Sequence, residues 1–166
     1  MARSKLIKYL IILAISVFSS QSFAKERLPS NCAHLSEVSK ASFVLFNKKE
    51  FMQLGECLAI AALKNQKKLD LVRSCNEVDE DRRNFLGILS LSKLESILLG
   101  QCLGTINYIY EHYNKERVSD YRYRSSSRLV YHCNKGVKAV DILRNSKTEE
   151  IGREDIRKLL CDEVYY

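Results

Sequence analysis

The chain has 166 residues, 46% hydrophobic and 28% charged, with a formal net charge of +7. That length suits one compact domain with a sizeable core. Three of the cations lie in the first 24 residues, so the remainder carries 24 Lys and Arg against 20 Asp and Glu. A residual charge of +4 excludes a strong global field of the kind that gathers nucleic acid.

Residues 1–24 have the three-part layout of a cleavable export signal. Arg3, Lys5 and Lys8 give a positive start, an apolar run extends from Tyr9 to Phe18, and Ser22-Phe23-Ala24 offers small residues where a signal peptidase reads. As a membrane anchor the run is too short, at about half of the roughly 20 apolar residues that span a bilayer. No Cys stands at the cleavage point, so a lipid anchor is not expected. Cleavage after Ala24 would leave residues 25–166 as a single all-helical, disulfide-stabilised domain, periplasmic or secreted, with no transmembrane anchor.

Beyond Pro29 there is no proline, and Leu, Ile, Lys, Glu and Ala recur at helical spacing. The pattern predicts a first helix over Asn31 to Phe46 and a turn at Asn47-Lys48. A second helix is expected over Lys49 to Asn65, burying Phe51, Leu54, Leu58, Ala61 and Ala62. A third runs from about Leu69 to Asn76, with a continuation through the charged stretch to Leu89 as the longer alternative. Ser92-Lys93-Leu94-Glu95 fits a capping box, opening the longest helix, which reaches Asn114. Its inward side is expected to hold Leu94, Ile97, Leu98, Cys102, Ile106, Ile109 and Tyr113. Residues 119–127 are polar and predict a loop. A last pair of helices is expected over Cys133 to Asn145 and Arg153 to Val164.

All six cysteines follow the leader: Cys32, Cys57, Cys75, Cys102, Cys133 and Cys161. An even count in an exported chain predicts three disulfides. The absence of Cys-x-x-Cys speaks against a thiol oxidoreductase, and the spacing of Cys32, His34, His132 and Cys133 matches no zinc motif. Six cysteines permit fifteen pairings. One stands out, because Leu54-Gly55-Glu56-Cys57-Leu58-Ala59 echoes Leu99-Gly100-Gln101-Cys102-Leu103-Gly104. Leu159-Leu160-Cys161 is a fainter copy. Pairing Cys32 with Cys57, Cys75 with Cys102 and Cys133 with Cys161 puts each expected turn near the midpoint of its interval. In an antiparallel hairpin, residues equidistant from the turn lie side by side. The expected architecture is therefore an all-α bundle of three antiparallel helix hairpins, each stapled within itself.

The strongest functional signal is the stretch from Tyr108 to Lys138, which holds six of the nine tyrosines. Within it, Tyr121-Arg122-Tyr123-Arg124 lies in the polar loop, with Tyr113, Arg117 and Arg128 as further candidate binding residues. Tyr and Arg dominate binding hot spots, and Arg forks onto carboxylates and phosphates. The plainer alternative is a solvated loop whose tyrosines cover helix ends. Asn76 to Asp81 is acidic but lacks the central Gly and distal Glu of a calcium loop, so a helix start is expected there instead. Gly100 and Gly104 predict a close helix crossing. None of His34, His112 and His132 lies in a nucleophile motif, and Ser125-Ser126-Ser127 lacks a strand-turn-helix setting. No catalytic residue, metal site or cofactor is expected.

Gly100-Gln101-Cys102-Leu103-Gly104, with Cys75 upstream and Cys133 and Cys161 downstream, resembles a group of small exported helical proteins. These are disulfide-linked immunity proteins that guard bacteria against type VI secretion effectors, including amidases. The resemblance covers the second half of the chain. The group's Pro after the third cysteine is replaced here, where Asn134-Lys135 follows Cys133. The resemblance implies a protein partner in the envelope or outside the cell. The expected function is thus an exported, non-enzymatic protein-binding module, an inhibitor or immunity protein. The alternatives are a binder of anionic envelope material, such as lipopolysaccharide or acidic lipid, and an unrecognised envelope enzyme.

Overall fold

A computed structural model describes Cys32 and residues 42–83, 91–118 and 129–165. The expected leader over residues 1–24 and most of the first expected helix lie outside these residues, as do residues 119–128. The described chain holds a 3-10 turn (Ser42–Leu45) and the helices α1 (Lys48–Lys64), α2 (Leu71–Arg83), α3 (Lys93–Tyr113), α4 (Gly136–Arg144) and α5 (Arg153–Leu160). Four short strands join them: β1 (Leu69–Asp70), β2 (Leu129–Cys133), β3 (Glu150–Ile151) and β4 (Cys161–Tyr165). The protein is mostly helical and carries three disulfides, but two small antiparallel sheets correct the all-α expectation.

Helix starts are set by local chemistry. Asn47 caps α1 with its side-chain oxygen accepting from the Glu50 N–H at 3.0 Å, while Glu50 accepts from the Asn47 N–H at 2.7 Å. Phe46 and Phe51 flank this cap with ring centroids 5.6 Å apart, a hydrophobic staple across the first turn. Ser42–Leu45 is a 3-10 turn, where the last part of an α-helix was expected, and the chain is extended at the Asn47 cap. The expected capping box at Ser92 is present, with Glu95 accepting from the Ser92 N–H at 2.6 Å.

These two caps belong to a longer correspondence. Asn47 and Ser92, Lys48 and Lys93, Glu50 and Glu95, Leu54 and Leu99, Gly55 and Gly100, and Cys57 and Cys102 are all 45 residues apart. The two helices so related pack directly on each other. A Cβ on Gly55 would collide with the Ile97 carbonyl oxygen, and one on Gly100 with the Met52 carbonyl oxygen. Met52 and Ile97 are themselves equivalent at the same offset, so the two contacts exchange when the helices are swapped. A Cβ on Gly104 would lie 2.7 Å from the Glu56 Cα. As α1 climbs from Met52 to Glu56, its neighbour climbs from Gly100 to Gly104, so α1 and α3 run parallel about a local two-fold axis.

This crossing corrects the expected stripes. Leu58 is 46% exposed and Leu94 is 54% exposed, whereas Gly55, Cys57, Ala59 and Leu63 are buried on α1. Backbone-to-backbone approach selects the small side chains for the interface and turns the neighbouring leucines outward. On α3, Cys102, Ile106, Ile109 and Tyr113 are buried as expected.

The disulfides join Cys32 to Cys57, Cys75 to Cys102 and Cys133 to Cys161, the pairing read from the sequence echo. The second ties α2 to α3. The third does not tie helices together. Cys133 and Cys161 are directly opposed in the antiparallel ladder of β2 and β4, which also pairs Tyr131 with Glu163 and Leu129 with Tyr165. Strand thus replaces the outer ends of both last helices. Leu-Val-Tyr-His-Cys is rich in residues that favour a pleated surface, and Gly136 at φ +64 starts α4 only after the turn. Similarly, Leu69 and Asp70 form β1 against Ile151 and Glu150, so α2 begins two residues later than expected.

The core gathers Leu63, Leu71, Leu99, Ile109, Leu143, Ile156 and Leu160, all fully buried, around the second and third disulfides. Ion pairs of Lys48 with Asp81 and of Arg144 with Asp79 join α1 and α4 to α2. No helix among the described residues is long and apolar enough to cross a membrane.

Replacing Gly100 with Ala adds a methyl that only helix separation can accommodate. Its helix propensity would favour Ala by about 1 kcal/mol. Overpacking typically costs roughly 1–3 kcal/mol, and here the obstacle is backbone. We expect Gly100→Ala to destabilise the oxidised protein in urea denaturation; a stability equal to or above wild type would refute the backbone crossing.

Candidate functional site

Three elements converge where α3 ends. Its last turns present Tyr108, His112 and Tyr113, β2 contributes Tyr131, and α5 contributes Arg153, Glu154 and Arg157. The Arg157 guanidinium carbon sits 4.6 Å from the Tyr131 ring centroid and 5.8 Å from that of Tyr113. Arg157 also donates to Glu154 at 3.0 Å, and the Tyr113 hydroxyl donates to the other oxygen of that carboxylate at 3.4 Å. Arg153 donates to the Tyr108 hydroxyl at 3.5 Å, and His112 stacks on the Tyr108 ring at 5.0 Å. Lys135 lies 4.7 Å over the Tyr110 ring at the flank.

Burial pushes the Tyr113 hydroxyl above its ordinary value; Arg153 and Arg157 oppose the shift, while Glu154 and Tyr108 reinforce it. Tyr113 therefore stays a neutral donor through the physiological range. The Arg157 side chain is only 15% exposed, so its role is to clamp α5 onto the aromatic wall. Arg153 lies at the rim, beside a depression of about 250 Å³ lined by Gln66, Gly152, Arg153, Glu154 and Asp155.

This cluster is the foundation of the Tyr/Arg stretch. Lys115 donates its N–H to the Tyr131 carbonyl at 2.8 Å, Tyr131 to Glu116 at 3.0 Å, and Val118 to Leu129 at 3.0 Å. Asn114 accepts from the Cys133 N–H at 3.1 Å. Residues 115–118 thus act as a third strand beside β2, and both ends of the 119–128 connection are fixed at one place.

Of the residues singled out from the sequence, Tyr113 is buried in the cluster, and Arg117 is exposed and bridges to Val130. Tyr121, Arg122, Tyr123, Arg124 and Arg128 lie outside the described residues. Arg153, Glu154 and Arg157 were not anticipated. Their spacing on one helix face was legible, but their tyrosine partners lie more than 20 residues away in sequence.

Elsewhere, carboxylate oxygens of Glu77, Glu80 and Glu95 lie within 4.8 Å of one another, the arrangement among the described residues best suited to a cation. Glu95 already serves as the cap of α3, which accounts for one member of the group. One Glu77 oxygen is buried without a hydrogen-bond partner. Its carboxyl is held above the ordinary value by burial first and then by Glu80 and Glu95, with Arg73 opposing. Compared with protein-family models, curated proteins and solved structures, the chain matches none.

The Glu77 shift has a signed consequence. A carboxyl raised in the folded state binds its proton more tightly there than in the unfolded chain. Stability therefore falls as pH rises from the ordinary value of 4.5 through the folded value. Glu77→Gln is expected to be more stable than wild type at neutral pH and no different well below 4.5. Denaturation curves across that range check this, and a gap that persists at low pH would contradict it.

Proposed function

We propose that the protein is an exported, non-enzymatic protein-binding module acting in the periplasm or outside the cell, as an inhibitor or immunity protein. The three disulfides fit an oxidising compartment of that kind. The observation that carries the reading is the anchored root of the Tyr/Arg stretch. Residues 115–118 and 129–133 are hydrogen-bonded together and backed by the Arg157–Tyr131–Tyr113 stack. A Tyr/Arg segment leaving such a base has both of its ends held in place, and loops on rigid scaffolds commonly carry binding. The resemblance of the cysteine-centred second half to immunity proteins points to a secreted effector as the partner.

The test is affinity purification from the native envelope fraction at low and high salt, with mass spectrometry of what is retained. One protein held at high salt in a fixed stoichiometry is expected. Replacing Tyr121, Arg122, Tyr123 and Arg124 together with Ala should abolish retention, since hot-spot side chains are each worth about 2 kcal/mol or more. Undiminished retention by that variant would remove the loop from the reading. Release of everything at high salt, with lipid or polysaccharide bound at low salt, would favour an anionic envelope ligand instead.

A further inference from the structure

β2 lies between two neighbours, and its backbone groups must alternate between them. Leu129 and Tyr131 bond to residues 115–118 on one side. Val130 and His132 therefore bond to the other side, where they face Val164 and Asp162 of β4. It follows that Val164 and Asp162 turn their N–H and C=O groups towards β2, while Glu163 and Tyr165 turn theirs outward. Among the described residues, β4 pairs with no second strand. The edge is also open to solvent, with Asp162 to Tyr165 exposed and Tyr165 at 79%.

Two features give this edge a chemical preference. Asp162 and Glu163 point to opposite faces of the strand, and neither forms an ion pair among the described residues. A second copy of β4 laid antiparallel against the first, with Glu163 opposite Glu163, would bring these carboxylates together, and opposed like charges destabilise a strand pair. A strand carrying cations would instead find one carboxylate on each face, with Val164 and Tyr165 beyond them as apolar ground.

We propose that the free edge of β4 docks an extended segment of a partner protein as an added strand, carrying Lys or Arg where it meets Asp162 and Glu163. Main-chain bonds to Glu163 and Tyr165 supply affinity, and the two carboxylates supply selectivity. The proposal rests on the protein-binding reading but uses a surface distinct from the Tyr/Arg stretch.

The probe is a lysine–valine peptide of about eight residues, a repeat of Lys-Lys-Val-Val that presents a lysine on each face of the strand, with the corresponding Glu-Glu-Val-Val peptide as its counterpart. Amide exchange is followed by NMR in the full, oxidised protein. The lysine–valine peptide should slow exchange at Glu163 and Tyr165 roughly tenfold, as expected for new backbone hydrogen bonds, and the effect should fade with salt. The glutamate–valine peptide should not. Glu163→Pro removes an outward N–H that the ladder does not use, a position where an edge strand tolerates proline, and should abolish the effect. Asp162→Asn with Glu163→Gln preserves every backbone group and should weaken binding while flattening its salt dependence. Unchanged exchange at millimolar peptide, equal binding of both peptides, or full binding by Glu163→Pro would overturn the proposal. So would protection without peptide accompanied by a doubled mass, which would assign the edge to a second copy. The four-alanine loop variant leaves β4 intact, so loss of its partner with peptide binding retained would separate the two readings.

Discussion

Everything in this fold is hung on the place where α1 and α3 touch through their backbones. Gly55, Gly100 and Gly104 sit at helix interiors, where glycine costs roughly 0.5–1 kcal/mol each relative to alanine. That cost is offset by an approach that no side chain could permit: the Ile97 and Met52 carbonyls occupy the space where β-carbons would stand. Interior packing is close, so dispersion gains follow wherever two surfaces meet without a gap. Because the two contacts exchange under a local two-fold, both helices are fixed in rotation as well as in distance. Cys57 and Cys102, each two residues past its glycine, are then aimed at Cys32 and Cys75.

The pairing of cysteines follows from that geometry. Each staple closes a loop of about 25 residues, worth roughly 3 kcal/mol in the chain-entropy picture. The first two hold an upstream segment to a member of the parallel helix pair. The third has another task, joining β2 to β4 at the foot of α5. Its similar spacing along the chain hides a different local structure: α4, β3 and α5 span the interval, but the two cysteines themselves stand opposite each other in strands β2 and β4.

How much of this was legible depends on the range of the interaction. The caps at Ser92 and the echo around Cys57 and Cys102 are local patterns, and they led correctly to helix starts and to all three pairings. The stripe on α1 differs because hydrophobic periodicity weighs large residues, while this interface is built where Met52, Gly55 and Glu56 meet Ile97, Gly100 and Gly104. The 45-residue register of Asn47 with Ser92 was present in the sequence, and it would have flagged the parallel pair. Strands β2 and β4 were hidden for a different reason. A strand of five residues next to a helix is decided by its partner, and Tyr131 meets Glu163 across 32 residues of chain. The tyrosines were marked as a group, but the arginines that hold them come from α5, so the stack belongs to tertiary structure.

That stack also explains why a short helix is held firmly at the edge of the molecule. α5 has only eight residues, too few to persist alone, since isolated helices shorter than about 12 residues are marginal in water. It is fixed instead from three directions: Ile156 and Leu160 are buried in the core, Arg157 lies against Tyr131 and Tyr113, and Cys161 at its end is bonded to Cys133. The same constraints position β4, because it continues directly from Leu160. Both proposed recognition elements, the root of the Tyr/Arg stretch and the open strand edge, are therefore referenced to one rigid unit of α3, β2 and α5. A partner engaging both would meet a root and a strand edge whose relative placement is already set, which lowers the ordering cost at those two places.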